Sequence, residues 1–259
     1  MLYITYHFFF IIILYVITIY LEKLIKSIMN AVDIEKEIVC IYSFPDEVYI
    51  KIIREVGFEC DFCGKCCTSE FNDHVFLLDD DAQRIIENFG REFLRPAPYF
   101  DLCDNLGRFY VMGYALRTKP NGDCIFYTGT GCEHYEARPW ICKIYPYMLH
   151  REPDEEGNIE FRQISGLDLH GLYNNEISDM ICEKILKSVK DYESGFLRQK
   201  LGFIKKIERY FEENNLRNSK QMYDRMMRQY EKGKEIEIYV FFQGIFKKEI
   251  IAKQIINPE

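Results

Sequence analysis

Four cysteines fall within eight residues of this chain: Cys60, Cys63, Cys66 and Cys67, in "CDFCGKCC". The first three form C-x2-C-x2-C, the spacing by which a short loop wraps three irons of a 4Fe–4S cluster while a fourth cysteine arrives from elsewhere. Zinc sites more often use two separated C-x2-C knuckles around one tetrahedron. No second knuckle exists here, since Cys124, Cys132 and Cys142 are separated by seven and nine residues. Spacing therefore favours an iron–sulfur cluster, with zinc as the alternative, because distant cysteines can still complete a zinc tetrahedron. Neighbouring side chains tend to point apart, so Cys66 and Cys67 are not expected to serve one ion. Seven sulfurs in two stretches exceed the four that one ion or one cubane takes. The surplus leaves Cys67 for a second centre with Cys124, Cys132 and Cys142, or as a spare thiol.

The rest of the chain bears on which chemistry these thiols meet. Its 33 Lys and Arg against 41 Asp and Glu, a formal charge of −8, lack the basic footprint of a nucleic-acid binder. Residues 2–21, "LYITYHFFFIIILYVITIYL", carry no Asp, Glu, Lys or Arg and would span about 30 Å as a helix, enough for a bilayer core. No basic n-region or small-residue cleavage site marks a secretory signal. With Lys23 and Lys26 after the run, the positive-inside rule expects a single-pass anchor with the bulk of the chain in the cytoplasm. The alternative is a start at Met29. Either reading puts the cysteines in the cytoplasm, where clustered thiols bind metal more often than they form disulfides, intracellular proteins of hyperthermophiles excepted.

The elements around the cysteines read as α+β. "SFPDEVYIKIIREVG" predicts a helix with Ser43 as cap and Val48, Ile52 and Ile53 on one face, ending at Gly57. The cysteine cluster follows in a stretch too polar to be regular. "HVFLLDDDAQRIIENFG" predicts a short strand, an Asp cap at Asp79 or Asp80, and a helix ending near Gly90. Arg108 to Thr118 alternates as a strand. Pro139 opens a short helix carrying Cys142, and a hairpin joins Met148–Arg151 to Ile159–Ile164. Leu197, Leu201, Ile204, Ile207 and Phe211 recur at helical spacing, a second helix runs through "SKQMYDRMMRQY", and "IEIYVFF" is a strand candidate. The expected layout is a hydrophobic segment at 1–28, a cysteine-rich metal-binding domain with short strands and helices at 29–175, and a mostly helical extension at 176–259.

"CDFCGKCC" followed by "CEHYEARPWICKIYPY" resembles the CxxCxxCC family, described as zinc- or iron-chelating and related to a flagellin lysine methylase. The family pattern maps onto Cys60, Cys63, Cys66, Cys67, Cys124, Cys132, Tyr135, Arg138, Pro139, Cys142, Lys143, Tyr145 and Pro146. "HVFLLDDDAQRI" resembles the family's v-x-L-x-x-x-D-x-x-R-I connection, and the likeness covers about Gly57 to Ile164. It implies a metal-chelating protein with the seven cysteines as candidate ligands, but no single reaction. The leading expectation is ligation by Cys60, Cys63 and Cys66 with a fourth ligand from Cys124, Cys132 or Cys142. If the protein is an enzyme, redox or methylase-like modification of a protein substrate is the concrete class. S-adenosylmethionine enters by that analogy alone, because no glycine-rich strand–loop–helix is present to bind it. A radical route would need one open iron, which ligation by Cys60, Cys63 and Cys66 alone would leave. The other expected function is a zinc-stapled binding module without catalysis.

Other candidates carry plainer readings. Arg138 is expected at the cofactor, bonding cluster sulfurs or the carbonyls of the loops that hold them, with a surface salt bridge as the alternative. Cys182 reads as a buried thiol, and Cys40 and Cys103 lie outside the motif. His74 and His134 could bind metal, but a solvent-facing or hydrogen-bonded role is expected of both. Asp79, Asp80 and Asp81 read as a helix cap and the Met226–Met227 pair as core.

Overall fold

The computed structural model describes residues 31–71, 73–153, 159–163 and 170–253. The apolar run at residues 2–21 lies outside the described residues. Among the described residues, no helix is long and apolar enough to cross a membrane.

The first helix, α1, is helical over 31–43, and α2 follows at Asp46–Val56. Asp46 and Glu47 occupy the first turn of α2, where the helix dipole favours carboxylates. Ser43 does not cap it, since its hydroxyl donates to the Cys40 carbonyl at 3.3 Å. The buried stripe of α2 is Tyr49, Ile53 and Val56, and Val48 is 47% exposed rather than inward. Positions i, i+4 and i+7 share one helix face, and this face meets a long helix from the other end of the chain.

That helix is α5, Asp179–Glu213, 35 residues and about 50 Å long. Along its length it enters three apolar clusters. Cys182, Leu186 and Val189 pack with Tyr49, Ile53 and Val56 of α2. Leu197 meets Ile34 and Ile41 of α1. Phe203, Ile207 and Phe211 pack against Tyr110 and Phe241. The periodicity expected at Leu197, Ile207 and Phe211 is thus the inner face of the molecule's main spine.

The largest sheet has four strands in the order β2 (Leu102–Cys103), β3 (Phe109–Val111), β7 (Ile236–Phe242) and β8 (Ile245–Ile251). The β3–β7 pair is parallel, with Phe109 opposite Ile238, and the other pairs are antiparallel. The alternating run from Arg108 to Thr118 is two strands. It breaks at Met112–Gly113, and β4 (Tyr114–Leu116) pairs with β1 (Leu94–Pro96) in a separate ribbon. The aromatic ring of Phe76 and the Gln199 amide press on Gly113 at the break. The expected apolar strand before Asp79 is an extended segment beside β4, through Leu77 N–H to the Tyr114 carbonyl and Leu116 N–H to the Val75 carbonyl, each 2.9 Å. A third ribbon is the hairpin β5 (Leu149–Pro153) and β6 (Ile159–Gln163).

The main core gathers Leu77 and Ile85 of α3 and its approach (α3, Asp79–Phe89), Phe109, Val111, Leu116 and Phe126, and the inner face of β7. Helix α6, Lys220–Tyr230, closes it with Met222, Met226 and Met227. Ser219 caps α6 by accepting the Met222 N–H at 3.3 Å. The architecture is mixed α+β, and its core crosses residue 176, because β7 lies between β3 and β8.

Ile53 is fully enclosed between α2 and α5. Ile53→Ala is expected to lower the unfolding free energy by about 2–5 kcal/mol, against about 0.5 kcal/mol or less for the exposed Val48→Ala. Urea titration of both variants checks the assignment of the buried face.

Candidate metal centre

The first cysteine stretch leaves the fold at the end of α2 and is pinned at once. Glu59 and Leu172 exchange both backbone hydrogen bonds, at 2.8 and 2.9 Å, and the Phe58 N–H donates to the Tyr147 hydroxyl at 2.9 Å. Asp61 then turns the loop by accepting the Cys63 N–H at 3.1 Å. Gly64 sits at φ 72°, and a Cβ there would lie 2.2 Å from the Tyr127 ring, so only glycine fits. From Gly64 the chain makes one 3-10 turn, Lys65–Cys67, with Cys67 N–H bonded to the Gly64 carbonyl at 2.8 Å.

This turn corrects the expectation that Cys66 and Cys67 point apart. Adjacent side chains diverge fully on a strand, but only by about 120° on a three-residue turn. The two sulfurs share a hydrogen bond, which favours the thiolate on Cys66 and, with burial, drives the Cys67 thiol far up.

The second stretch docks directly on the first, with the Cys124 N–H donating to the Cys67 carbonyl at 2.8 Å. Cys132 lies opposite Tyr127 in a tight loop. After a 3-10 turn at Tyr135–Ala137, Pro139 precedes α4, Trp140–Ile144, which carries Cys142. A clamp from α3 sets this segment. Asp81, wholly buried, accepts the Trp140 N–H at 2.9 Å and pairs with Arg84 at 2.5 Å. Arg84 in turn donates to the carbonyls of Ala137 and, at 3.2 Å, Arg138. Burial pushes the Asp81 carboxyl up, while the Trp140 N–H and Arg84 pull it back.

The carboxylates expected to cap α3 thus do something else. The residue before α3 is Leu78, with no side-chain cap. Asp81 caps α4, and Asp79 accepts the Gln243 N–H at 2.8 Å. Asp81 and Arg84 are the D-x-x-R of the connecting motif, legible in sequence but without a role until α3 and α4 are seen side by side.

All seven expected cysteines, and Arg138, line one cavity of about 770 Å³. Its remaining wall mixes aromatic side chains, among them Phe58, Phe62, Phe71, Phe126, Tyr135 and Tyr145, with aliphatic and charged ones such as Ile141, Glu70 and Lys143. Cys66 is the electrostatic hub, acting on Cys67, Cys124, Cys132 and Cys142. Cys60 acts on Cys132 and bonds the Tyr135 side chain. Cys63 is the exposed member, its thiolate favoured by the backbone of Lys65 and Gly171 and disfavoured by Asp61. Burial raises the thiols of Cys63 and Cys132, lifts Cys124 to about 11, and raises Cys142 furthest of these. The Arg138 guanidinium lies 3.6 Å over the Tyr135 ring and acts on Cys66 and Cys132, and its buried Nε has no hydrogen-bond partner among the described residues. As placed, no three Cys, His, Asp or Glu side chains among the described residues meet closely enough to hold one ion. The sulfurs ring the cavity instead.

Residues 59–165 match the family model CxxCxxCC, "Putative zinc- or iron-chelating domain". Over this stretch the chain is similar to that family. No curated protein and no solved structure matches the chain. The family description supports metal binding by the domain, and its bounds run from the Glu59 pairing to just past β6.

The other candidates fall away from the CxxCxxCC cavity or onto its edge. Cys182 is buried with its sulfur 3.9 Å from the Ile177 carbonyl, and Cys103 is buried in β2. His134 packs between the rings of Phe89 and Phe126, at 4.4 and 4.9 Å between centroids. His74 lines the cavity, as does His170, a residue that no motif or spacing singled out.

Asp81→Ala is expected to destabilise the domain by about 1–3 kcal/mol, leaving the Trp140 N–H and Arg84 without their buried acceptor. Asp81→Asn, which keeps an acceptor for Trp140, should cost less. Thermal melts together with thiol counts on native protein check this, since loosening of α4 must expose Cys142 to a thiol reagent before global unfolding.

Proposed function

We propose that the CxxCxxCC domain holds an iron–sulfur cluster in the cysteine-lined cavity and serves in redox chemistry. The observation that carries this reading is the arrangement of seven thiols, from two segments about sixty residues apart, around one cavity. Four thiolates on one zinc, each about 2.3 Å from the metal, must crowd a single point. Thiolates on a cluster each take a different iron and stand farther apart, so a ring of sulfurs around a wide cavity suits a cluster better. The C-x2-C-x2-C spacing of Cys60, Cys63 and Cys66 supports the same choice.

The wall chemistry is consistent with it. Arg138 offers a cation and an unpartnered buried donor to a thiolate-rich, negative centre, and hydrogen bonds to cluster sulfurs are a recognised means of tuning potential. With Cys124, Cys132 and Cys142 facing the same space, every iron of a cubane can find a protein sulfur. That supply favours electron transfer over a route that needs an open iron. The centre would supply the electron. The protein's own contribution is to hold the thiolates, exclude water with aromatic rings and balance charge with Arg138.

The test is anaerobic purification followed by iron, sulfide and zinc analysis and a visible spectrum. Matched iron and sulfide in a brown protein are expected. Stoichiometric zinc in a colourless protein would replace this reading with a structural staple. Because burial raises most of these thiols, protons compete with the metal. Loading should therefore release roughly one proton per ligating thiol and weaken as pH falls from 8 to 6. Metal uptake in pH-stat titration reads both.

A further inference from the structure

Beyond the cysteines, the cavity contains a nitrogen donor that lies outside the matched family segment. Both ring nitrogens of His170 are buried, and neither has a hydrogen-bond partner among the described residues. An imidazole has one donor and one acceptor when neutral, and burying both is costly unless a group beyond these described residues, such as a bound metal, meets one of them.

The ring is not loosely placed. It stacks on Tyr145, with centroids 5.1 Å apart and planes 20° from parallel, and the Phe71 ring approaches edge-on at 5.0 Å. Its backbone is fixed as firmly. Gly171 adopts φ 82° with the Phe58 ring so close that a Cβ would sit 2.2 Å from it, and Leu172 makes the double pairing with Glu59. The imidazole lines the same cavity as Cys63, the most exposed of the seven thiols, which is acted on by the Gly171 backbone. The charged groups acting on it are Lys65 and Asp61, and Asp61 is a carboxylate able to take one ring N–H once the other nitrogen is engaged, the arrangement common to metal-bound histidines.

We propose that His170 is a nitrogen ligand of the metal centre, beside Cys63, giving a mixed sulfur and nitrogen donor set. The proposal rests on the metal-binding reading above. Replacing thiolate by neutral imidazole makes a cluster less negative and raises its potential, which suits a site whose other donors are all sulfur.

The experiment uses the full chain loaded anaerobically with iron and sulfide and reduced, or loaded with cobalt(II) if the protein carries zinc, and reads nitrogen hyperfine coupling by pulsed EPR. The expected result is a coupling of directly bound strength that changes to the nitrogen-15 pattern when only histidine is nitrogen-15 labelled, an arm that requires no variant. His170→Phe, which keeps a ring on Tyr145, should abolish the coupling and cut metal retention against a competing chelator at least about tenfold. Bound metal without histidine coupling, coupling that survives His170→Phe, or its loss in His74→Phe instead would each overturn the assignment while leaving the metal centre standing. A protein that takes up neither iron nor cobalt would defeat the metal reading itself.

Discussion

A single buried carboxylate ties the cysteine loops to the folded core. Asp81 sits on the first turn of α3 with no solvent exposure, and α3 is anchored by Ala82 and Ile85 in the main apolar cluster. A buried charge must be met, and here it is met by Arg84 and by the first N–H of α4. Those two partners reach the segment from Ala137 to Trp140. The placement of Cys142, and of Arg138 over Tyr135, is thus inherited from packing in the core rather than from the loop's own conformation.

Around this tie the molecule divides its labour. The main apolar cluster is built on the four-stranded sheet, α3 and α6, and helix α5 visits three smaller clusters in turn. Of the two cysteine segments, residues 60–67 contribute no buried apolar side chain and the second contributes Phe126 and Ile144. They are shaped by backbone hydrogen bonds, by the Asp61 turn and by a glycine pressed against Tyr127. The bond from the Cys124 N–H to the Cys67 carbonyl joins them to each other. Such a region gains most from a bound metal, since coordination adds stabilisation where hydrophobic burial is thin.

The same arrangement sets the electrostatics of the cavity. Aromatic walls and burial disfavour thiolate at Cys124, Cys132 and Cys142, while the hydrogen bond from Cys67 and the nearby Arg138 favour it at Cys66.

The amino-acid sequence by itself determined what was local. The C-x2-C-x2-C-C loop, the helix opened by Pro139, the hairpin at residues 149–163 and the long periodic helix were all legible, because spacing, proline and turn residues act over a few positions. Tertiary structure alone decided what was distant. The break of one alternating run into β3 and β4, the inward turn of Tyr49 in place of Val48, the reach of Asp81 to a helix about sixty residues on, and the arrival of His170 at the cavity that the cysteines line all depend on partners far away in the chain. Local rules are blind to such partners, because which two surfaces bury one another is settled by the whole core at once.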